Sequence, residues 1–522
     1  MYGKIRLIPY PKKAETKDGV LRCETLRLCG DATAFGSELK GFFEKYGIKT
    51  AEDGVETRFV RDAGIPDDES YCLKVTERAI EARAGGDAGA FYAAVSLVQL
   101  LHNYDGELPL CEIADAPELR FRSFMLDSGR YFFPKEDVFK IVDLCALHKI
   151  NAFHWHLTED QGWRIEIDKY PLLTQKGSRR SHTNFGVRPH GGYYTKSDVR
   201  EIVAYCNARN IQVIPEFDVP GHSQAALACY PWLGCFGRKL CVATHSGVKH
   251  DVMCAGKEST FAFVFDVLDE LIDLFGENTR YIHIGGDEVV KKRWEICPDC
   301  RKRMEENGIE TAEGLHAYFI NRVAQYVVDK GFVPVIWNPT RLSLPWHEKA
   351  VWQVWTAGEE VGTEELAKAA CKAGGLVNSD SGYAYLDLPY SDISLKKSYE
   401  FVPLPAGADA GSFVGAEAAL WSEYVPDFGT ACKRMLPRLS ALSEKMWGSS
   451  DDFDGFCKRE EYTRKFLSDN GYVGATYPQA MPGKVRAFFQ KIVFERRQLH
   501  WQGLRNLVDD AFVRLKHGCK KR

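Results

Sequence analysis

The run Gly285-Gly286-Asp287-Glu288 places two carboxylates side by side, directly after the apolar stretch 281–284. Two glycines let a backbone turn tightly and approach a ligand. Adjacent acids push their pKa values apart, so one can stay protonated as a general acid near neutral pH. Cleavage at a sugar centre with retention commonly uses two carboxylates about 5–5.5 Å apart, one as acid and one as nucleophile. Neighbouring residues diverge along the backbone. The pair therefore fits better a reaction in which the substrate supplies the nucleophile.

Other chemistry-bearing residues follow other short apolar runs. Asp127-Ser-Gly-Arg130 follows 123–126, and His154-Trp-His156 leads into Glu159-Asp160 and Trp163-Arg164 after 151–157. Glu216-Phe-Asp218-Val-Pro-Gly-His222 closes 212–216, Trp337-Asn338 closes 333–337 and Trp355 closes 351–355. Tyr383-Ala-Tyr385-Leu-Asp387 follows 376–378, and Trp421-Ser-Glu423 follows 415–420. A single Trp at a strand end is ordinarily core, and a single acid pair is ordinarily solvated. Repetition at eight strand ends points instead to one site. Carboxylates and Arg bond hydroxyls, and Trp faces stack on sugar rings, so the set suits a neutral polyhydroxylated ligand.

The elements that must position these residues alternate. Amphipathic stretches at 135–148, 196–209, 260–275, 311–330, 363–373 and 430–447 separate most of the eight candidate strands. The connections after the fifth strand and from the seventh to the eighth are less regular. A βα rhythm over 120–447 predicts an α/β protein, a (β/α)8 TIM barrel whose chemistry collects at the C-terminal strand ends. A doubly wound open sheet alternates too, but no G-x-G-x-x-G or P-loop supports a nucleotide-binding version. Before the barrel, 71–75 and 79–82 alternate as strands, Gly85-Gly86 and Gly89 read as a turn, and 90–101 reads as a helix. The segment 114–118 reads as a linker. The expected organisation is a small N-terminal α+β domain at 1–115, a barrel at 116–450 and a helical C-terminal extension at 451–522. The tail from Lys484 is rich in Lys and Arg and reads as a solvated helix face, with an anionic partner as the lesser reading.

Composition sets outer limits. With 68 basic and 72 acidic side chains the net charge is −4, without the basic surplus expected of a phosphate-neutralising nucleic-acid binder. No apolar run reaches the length of a membrane span. The first ten residues lack the apolar core of a secretory signal, so the chain is expected to be cytoplasmic and its 16 Cys to be reduced thiols. Cys297-Pro-Asp-Cys300 has C-x-x-C spacing, but Cys229, Cys235, Cys241 and Cys254 complete no recognised zinc pattern. Ordinary thiols are the favoured reading, with no metal and no cofactor in the site. A homo-oligomer is compatible with the sequence.

The motifs Leu126-Asp-Ser-Gly-Arg130, Phe153 to Arg164, Asp218-Val-Pro-Gly-His222, His283 to Glu288, Gln353-Val-Trp355, Tyr385-Leu-Asp387 and Trp421-Ser-Glu423 occur in one order. In that order the chain resembles glycoside hydrolase family 20, the β-N-acetylhexosaminidases, over residues 1–447. The resemblance implies hydrolysis of terminal β-linked GlcNAc or GalNAc with retention, through an oxazolinium intermediate. It implies that Glu288 is general acid and then base. Asp287 would bind the 2-acetamido N–H and stabilise its developing charge, and Tyr385 would bond the acetamido oxygen. Trp337, Trp355 and Trp421 would wall the pocket. Arg130, Asp387 and Glu423 would hold ring hydroxyls, and His222, paired with Glu159 or its neighbour, would support Glu288. Two departures stand out: Glu159 replaces the family's usual Asp, and Trp337-Asn338-Pro339 replaces Trp followed by polar or acidic residues.

Two other readings use the same residues. A metal-dependent hydrolase would draw on His154-x-His156, His222, His283 and Asp287. A non-catalytic sugar-binding protein would keep the pocket without turnover.

Overall fold

The computed structural model describes residues 5–30, 37–65, 67–184, 186–339, 341–357, 362–449 and 452–498. Trp501 and the rest of the tail at 499–522 lie outside the described residues. Eight parallel strands close into a barrel. In chain order they are Arg122–Asp127, Ala152–His156, Gln212–Glu216, Tyr281–His283, Val333–Trp337, Val351–Val354, Leu376–Asn378 and Phe413–Leu420. Each matches an apolar run of the sequence to within two residues. The last strand pairs the first in parallel, Ala416 against Arg122, so the sheet has no edge and is not doubly wound.

Helices Lys135–Leu147, Lys196–Asn207, Glu258–Phe275, Ala312–Asp329 and Thr363–Lys372 cover the outside. Their starts follow local chemistry. Thr195 and Asp198 form a reciprocal capping box, and the Thr311 hydroxyl accepts the Gly314 N–H. No helix separates the fifth strand from the sixth among the described residues, and the seventh strand is followed only by the short helix Leu395–Tyr399.

Three sequence expectations are corrected, two in helices and one at the end of the N-terminal unit. The helix expected over 430–447 is two helices, Phe428–Met435 and Arg438–Trp447. Pro437 has no N–H to donate to the Lys433 carbonyl four residues back; the Tyr390 hydroxyl lies 3.1 Å from that carbonyl and 2.7 Å from that of Leu436. Gly89, expected in a turn, lies in the first turn of the helix Asp87–Asn103. A Cβ there would sit 2.3 Å from the Ser70 carbonyl oxygen, so glycine serves close packing at that point.

The N-terminal unit is a seven-stranded sheet in the order Lys13–Arg22, Glu107–Asp115, Tyr71–Val75, Ala79–Ala84, Val55–Arg61, Thr25–Gly30, Lys49–Thr50. Residues 114 and 115 belong to its second strand rather than to a linker. Asp115 ties this sheet to the barrel, accepting from Tyr71, from Lys149 at 3.1 Å and from the Trp447 indole at 2.9 Å. The tail is helical through Phe453–Asp469, Tyr477–Ala480 and Lys484–Gln498. No helix among the described residues is long and apolar enough to cross a membrane.

The barrel interior is layered. Phe121, Ala152, Ile214, Val335, Val351 and Val377 form an apolar floor. Above it lies a buried polar layer centred on Glu216 and Glu417. Glu417 accepts from Ser123 at 2.7 Å, from His154 Nδ1 at 3.1 Å and from Gln353. Glu216 meets His156 Nδ1, His154 Nε2 at 3.0 Å, His283 Nδ1 at 3.3 Å and the Trp337 indole N–H at 2.7 Å. Unpaired charges at this depth would be costly, so each carboxylate is surrounded by donors. This layer supports the aromatic residues above it.

Candidate active site

Of the strand-end residues singled out in the sequence, Arg130, Asp287, Glu288, Trp355, Tyr385, Asp387, Trp421 and Glu423 gather around one cavity at the C-terminal mouth of the barrel, while His154, His156 and His283 lie below it. A cavity of about 180 Å³ there is lined by Arg130, Asp287, Glu288, Trp355, Tyr385, Asp387, Leu388, Trp421, Glu423, Tyr424 and Phe494. Trp337 lies beneath it, 2% exposed, with its ring centroid 5.5 Å from that of Trp421. Trp355 and Tyr385 lie nearly parallel, 16° apart with centroids at 6.3 Å, and Tyr385 and Trp421 are 6.2 Å apart. Four aromatic rings thus bound one end of the cavity.

The acid pair sits on a turn built for it. Gly285 and Gly286 have φ of +65° and +107°, and Glu288 itself is at +48°. The Gly286 N–H donates to Asp218 Oδ1 at 3.0 Å. A Cβ on Gly285 would lie 1.8 Å from that same oxygen. The glycines are therefore required both by conformation and by the approach of Asp218. The turn exposes the two side chains unequally: that of Glu288 is 40% exposed and that of Asp287 only 14%.

His222 stands between the acid pair and Glu159. Its Nδ1 is 2.9 Å from Glu159 Oε1 and 4.0 Å from Asp160 Oδ2. Its Nε2 is 3.6 Å from Glu288 Oε2 and 3.9 Å from Asp287 Oδ2. The longer Glu159 side chain thus keeps the contact that its replacement of Asp put in question. Burial disfavours the imidazolium, but Glu159, Asp218 and Asp287 outweigh it and push the His222 pKa well above the usual histidine range.

Arg130 is fixed from three sides. It contacts Asp127 Oδ2 at 3.2 Å, Glu159 Oε1 at 2.6 Å and Glu423 Oε1 at 3.2 Å, and lies 4.8 Å above the Trp421 ring. Asp127 also accepts the Arg130 and Ser422 backbone N–H groups at 3.0 and 2.9 Å. One buried carboxylate therefore sets the relative position of the first and eighth strand ends.

Two carboxylates remain only partly served by the protein. Asp287 Oδ1 and Asp387 Oδ1 are buried and have no protein hydrogen bond. Burial and the neighbouring Glu288 raise the Asp287 pKa to about 6, against the pull of His222. Burial and Glu423 raise Asp387 to about 7. Acceptors of this kind fit a ligand that brings N–H and O–H donors.

The raised Asp387 pKa carries a stability prediction. The folded state holds the proton more tightly than the unfolded chain, so this group destabilises the fold progressively as pH rises from about 4 to about 7. Asp387→Asn is therefore expected to raise Tm at pH 8, by an amount equivalent to roughly 2–4 kcal/mol, with a smaller gain at pH 5. The same variant is expected to lose about 10–100-fold in kcat/KM through a weakened hydroxyl contact. Thermal scans at the two pH values, beside initial rates, check both. An unchanged Tm at pH 8 would contradict the assignment.

The residues that a metal-dependent reading needs are divided. His154, His156 and His283 gather on Glu216 below the cavity, whereas His222 faces Glu159 and the acid pair. Burial opposes charge on His154, but Glu417 and Glu216 raise its pKa to about 9; Glu216 and Glu159 push His156 well above the usual histidine range, whereas burial lowers His283. The ligand atoms of His154, Glu216 and His283 lie within 4.8 Å of one another, as do those of Asp218, His222 and Asp287, so these residues form two separate groups rather than one site.

Phe494 and Glu417 lie outside the strand-end motifs, whereas Glu216, Asp218 and Asn338 lie within them but support the cavity rather than line it. Phe494, on the tail helix, reaches the cavity and packs edge-on against Tyr424 at 5.1 Å. The tail is thus not only a solvated face. Asp218, Glu216 and Glu417 act through their neighbours rather than by lining the cavity. A Glu inside the apolar run 415–420 is the signal that marks Glu417. Asn338 turns inward, its Oδ1 accepting the Trp355 N–H at 3.0 Å, and so joins the fifth and sixth strand ends.

Comparison with known proteins agrees with this geometry. The family model for the glycosyl hydrolase family 20 catalytic domain matches residues 119–450, and that for domain 2 of the same family matches 4–116. A β-hexosaminidase of Porphyromonas gingivalis is 39% identical, over 76% of this chain and 53% of that protein. The chain thus spans about half the length of that relative. A β-hexosaminidase of Akkermansia muciniphila is 32% identical, over 80% of this chain and 86% of that one. A mutant Streptomyces plicatus β-hexosaminidase, solved with its product GlcNAc, superposes with a TM-score of 0.79 at 29% identity, over 92% of this chain and 98% of that one. With both family models matched in sequence and the barrel shared with solved members, the chain belongs to glycosyl hydrolase family 20.

Proposed function

We propose that this chain hydrolyses terminal β-linked N-acetylhexosamine, GlcNAc or GalNAc, from the non-reducing end, with retention and by substrate-assisted catalysis. The observation that carries this reading is Asp287. Its buried, unpartnered Oδ1 lies beside a pocket walled by Trp337, Trp355, Tyr385 and Trp421. An acetamide fits such a box, with its methyl against the rings and its N–H toward the carboxylate.

In this mechanism the acetamide oxygen attacks C1 while Glu288 protonates the departing glycosidic oxygen. Asp287 accepts the acetamide N–H and stabilises the oxazolinium cation as it forms. Tyr385 donates to the acetamide oxygen and fixes its angle of attack. Because the nucleophile is tethered, much of the entropic barrier is already overcome on binding. Glu288, now a carboxylate, takes a proton from water, which opens the oxazolinium at C1 with net retention. His222, held by Glu159, orients the acid pair. Arg130, Asp387 and Glu423 hold the ring hydroxyls. The relatives named β-hexosaminidase, and the GlcNAc bound to the Streptomyces plicatus structure, support the substrate class.

A panel of aryl β-glycosides tests the reading. Turnover of the GlcNAc or GalNAc substrate, with none of the 2-hydroxy glucoside, is the expected result. Equal turnover of the glucoside would overturn it, because that sugar has no acetamide. Sugar binding without any turnover would favour a non-catalytic binding protein.

A further inference from the structure

Four cysteines far apart in the chain converge away from the cavity. The sulfurs of Cys235, Cys254, Cys297 and Cys300 all lie within 4.8 Å of one another. Cys235 and Cys300 are 3.9 Å apart, Cys254 and Cys297 3.8 Å, and Cys254 and Cys300 3.6 Å. Disulfide sulfurs lie about 2.05 Å apart. A zinc ion bonded to four thiolates at about 2.3 Å sets its sulfurs about 3.8 Å apart, the edge of a tetrahedron. The sequence spacing favoured ordinary thiols, and only Cys297-x-x-Cys300 carried a metal signature. The fold selects Cys235 and Cys254 as its partners. It leaves Cys229 bonded to the Leu172 carbonyl and Cys241 exposed.

The backbone around the four sulfurs is irregular and is held in place by specific bonds. Gly234 and Met253 form an antiparallel bridge, and the Cys254 N–H donates to the Leu233 carbonyl at 2.8 Å. Cys297 caps the helix Pro298–Glu306, so Cys300 lies in its first turn. A Cβ at Gly256 would lie 2.2 Å from the Asp299 carbonyl carbon, so the two loops touch through their backbones. Lys257 and Arg303 donate to the carbonyls of Gly234 and Gly256, which places positive charge beside the cluster.

We propose that Cys235, Cys254, Cys297 and Cys300 bind one zinc ion as a closed, structural tetrathiolate site. With every position taken by a protein sulfur, the ion takes no part in hydrolysis. Its place in the fold gives it a purpose. Cys235 and Cys254 come from the loop after the third barrel strand, and Cys297 and Cys300 from the loop after the fourth. The first loop carries His222 and the second carries Asp287 and Glu288. The Met253 N–H donates to the Pro220 carbonyl at 2.9 Å, and the Trp294 indole N–H to the Met253 carbonyl at 2.9 Å. The site thus braces the acid pair against the histidine that orients it. The assignment does not depend on the substrate proposed above.

Metal analysis of the purified chain tests it directly. One equivalent of zinc per chain is expected after dialysis against metal-free buffer. Replacing it with cobalt is expected to give thiolate-to-cobalt charge-transfer bands and intense tetrahedral ligand-field bands. The double variant Cys297→Ser/Cys300→Ser is expected to lose the metal and to melt at lower temperature. If that variant does not fold, release of zinc from the unmodified chain by a mercurial, followed by a metallochromic dye, supplies the count. Absence of stoichiometric metal, one equivalent of iron in place of zinc, or a disulfide among these four under native conditions would each overturn the proposal.

Discussion

Glu288→Gln is expected to lower kcat/KM by at least 10³-fold for alkyl or oligosaccharide substrates, whose leaving groups need a proton. General acid catalysis contributes about 10²–10⁴-fold, and the glutamine can neither give nor take a proton. Aryl glycosides with acidic phenols need less help in the first step, so their loss is expected to be smaller. Glu288 is on a positive-φ turn fixed by Gly285, Gly286 and Asp218, and the amide replaces it without a change of shape. The fold is therefore expected to survive, checked by an unchanged Tm. Added azide is not expected to trap or release a covalent enzyme adduct. A glycosyl ester on any carboxylate of the protein, seen by mass spectrometry, would sink the substrate-assisted mechanism.

Asp287→Asn is expected to cost about 10²–10³-fold in kcat, near 3–4 kcal/mol of transition-state stabilisation, with little change in KM. The amide preserves the volume but removes the negative charge that meets the oxazolinium. It also presents an N–H₂ to a substrate that itself offers an N–H. The loss belongs to the transition state because the acetamide becomes cationic only as it attacks. Steady-state rates on an aryl GlcNAc substrate decide the point. A near-normal kcat would mean that Asp287 has another role.

The barrel is legible in the sequence because its strands are short apolar runs that end in polar residues. Runs such as 212–216, 333–337 and 376–378 coincide with the observed strands, because burial on both sides leaves little freedom at either end. Helix ends are less legible where a single residue interrupts an apolar pattern that otherwise continues, as at Pro437. The mouth is legible because strand ends gather wherever a barrel closes, whatever lies between them in sequence. What supports the mouth is hidden for the opposite reason. Glu216 and Glu417 are buried acids whose partners come from other strands, and no local pattern pairs His154 with Glu417. Phe494 reaches the cavity from a helix that reads as solvated, and nothing in its flanking residues marks its destination. The cysteine cluster is invisible in the same way. Cys235, Cys254 and the Cys297-x-x-Cys300 pair meet only once two barrel loops fold back toward each other.

Arg130, tied to Asp127, Glu159 and Glu423, has a consequence beyond the contacts themselves. Its positive charge is matched locally, so it contributes little to the potential felt at a distance. The other charged side chains lining the cavity are Asp287, Glu288, Asp387 and Glu423, all acidic. Glu423 is already paired with Arg130, and the raised pKa values of Asp287 and Asp387 leave both partly protonated near neutral pH, so the field at the mouth grows more negative as pH rises through about 6 to 7, over a range of about 10 Å at 0.1 M salt. On the proposed function, the cation formed during reaction is favoured by this field, and a neutral glycan is not opposed by it. On the proposed function, glycans carrying sulfate or carboxylate groups near the terminal sugar are expected to bind less well as pH rises, and added salt is expected to reduce that penalty.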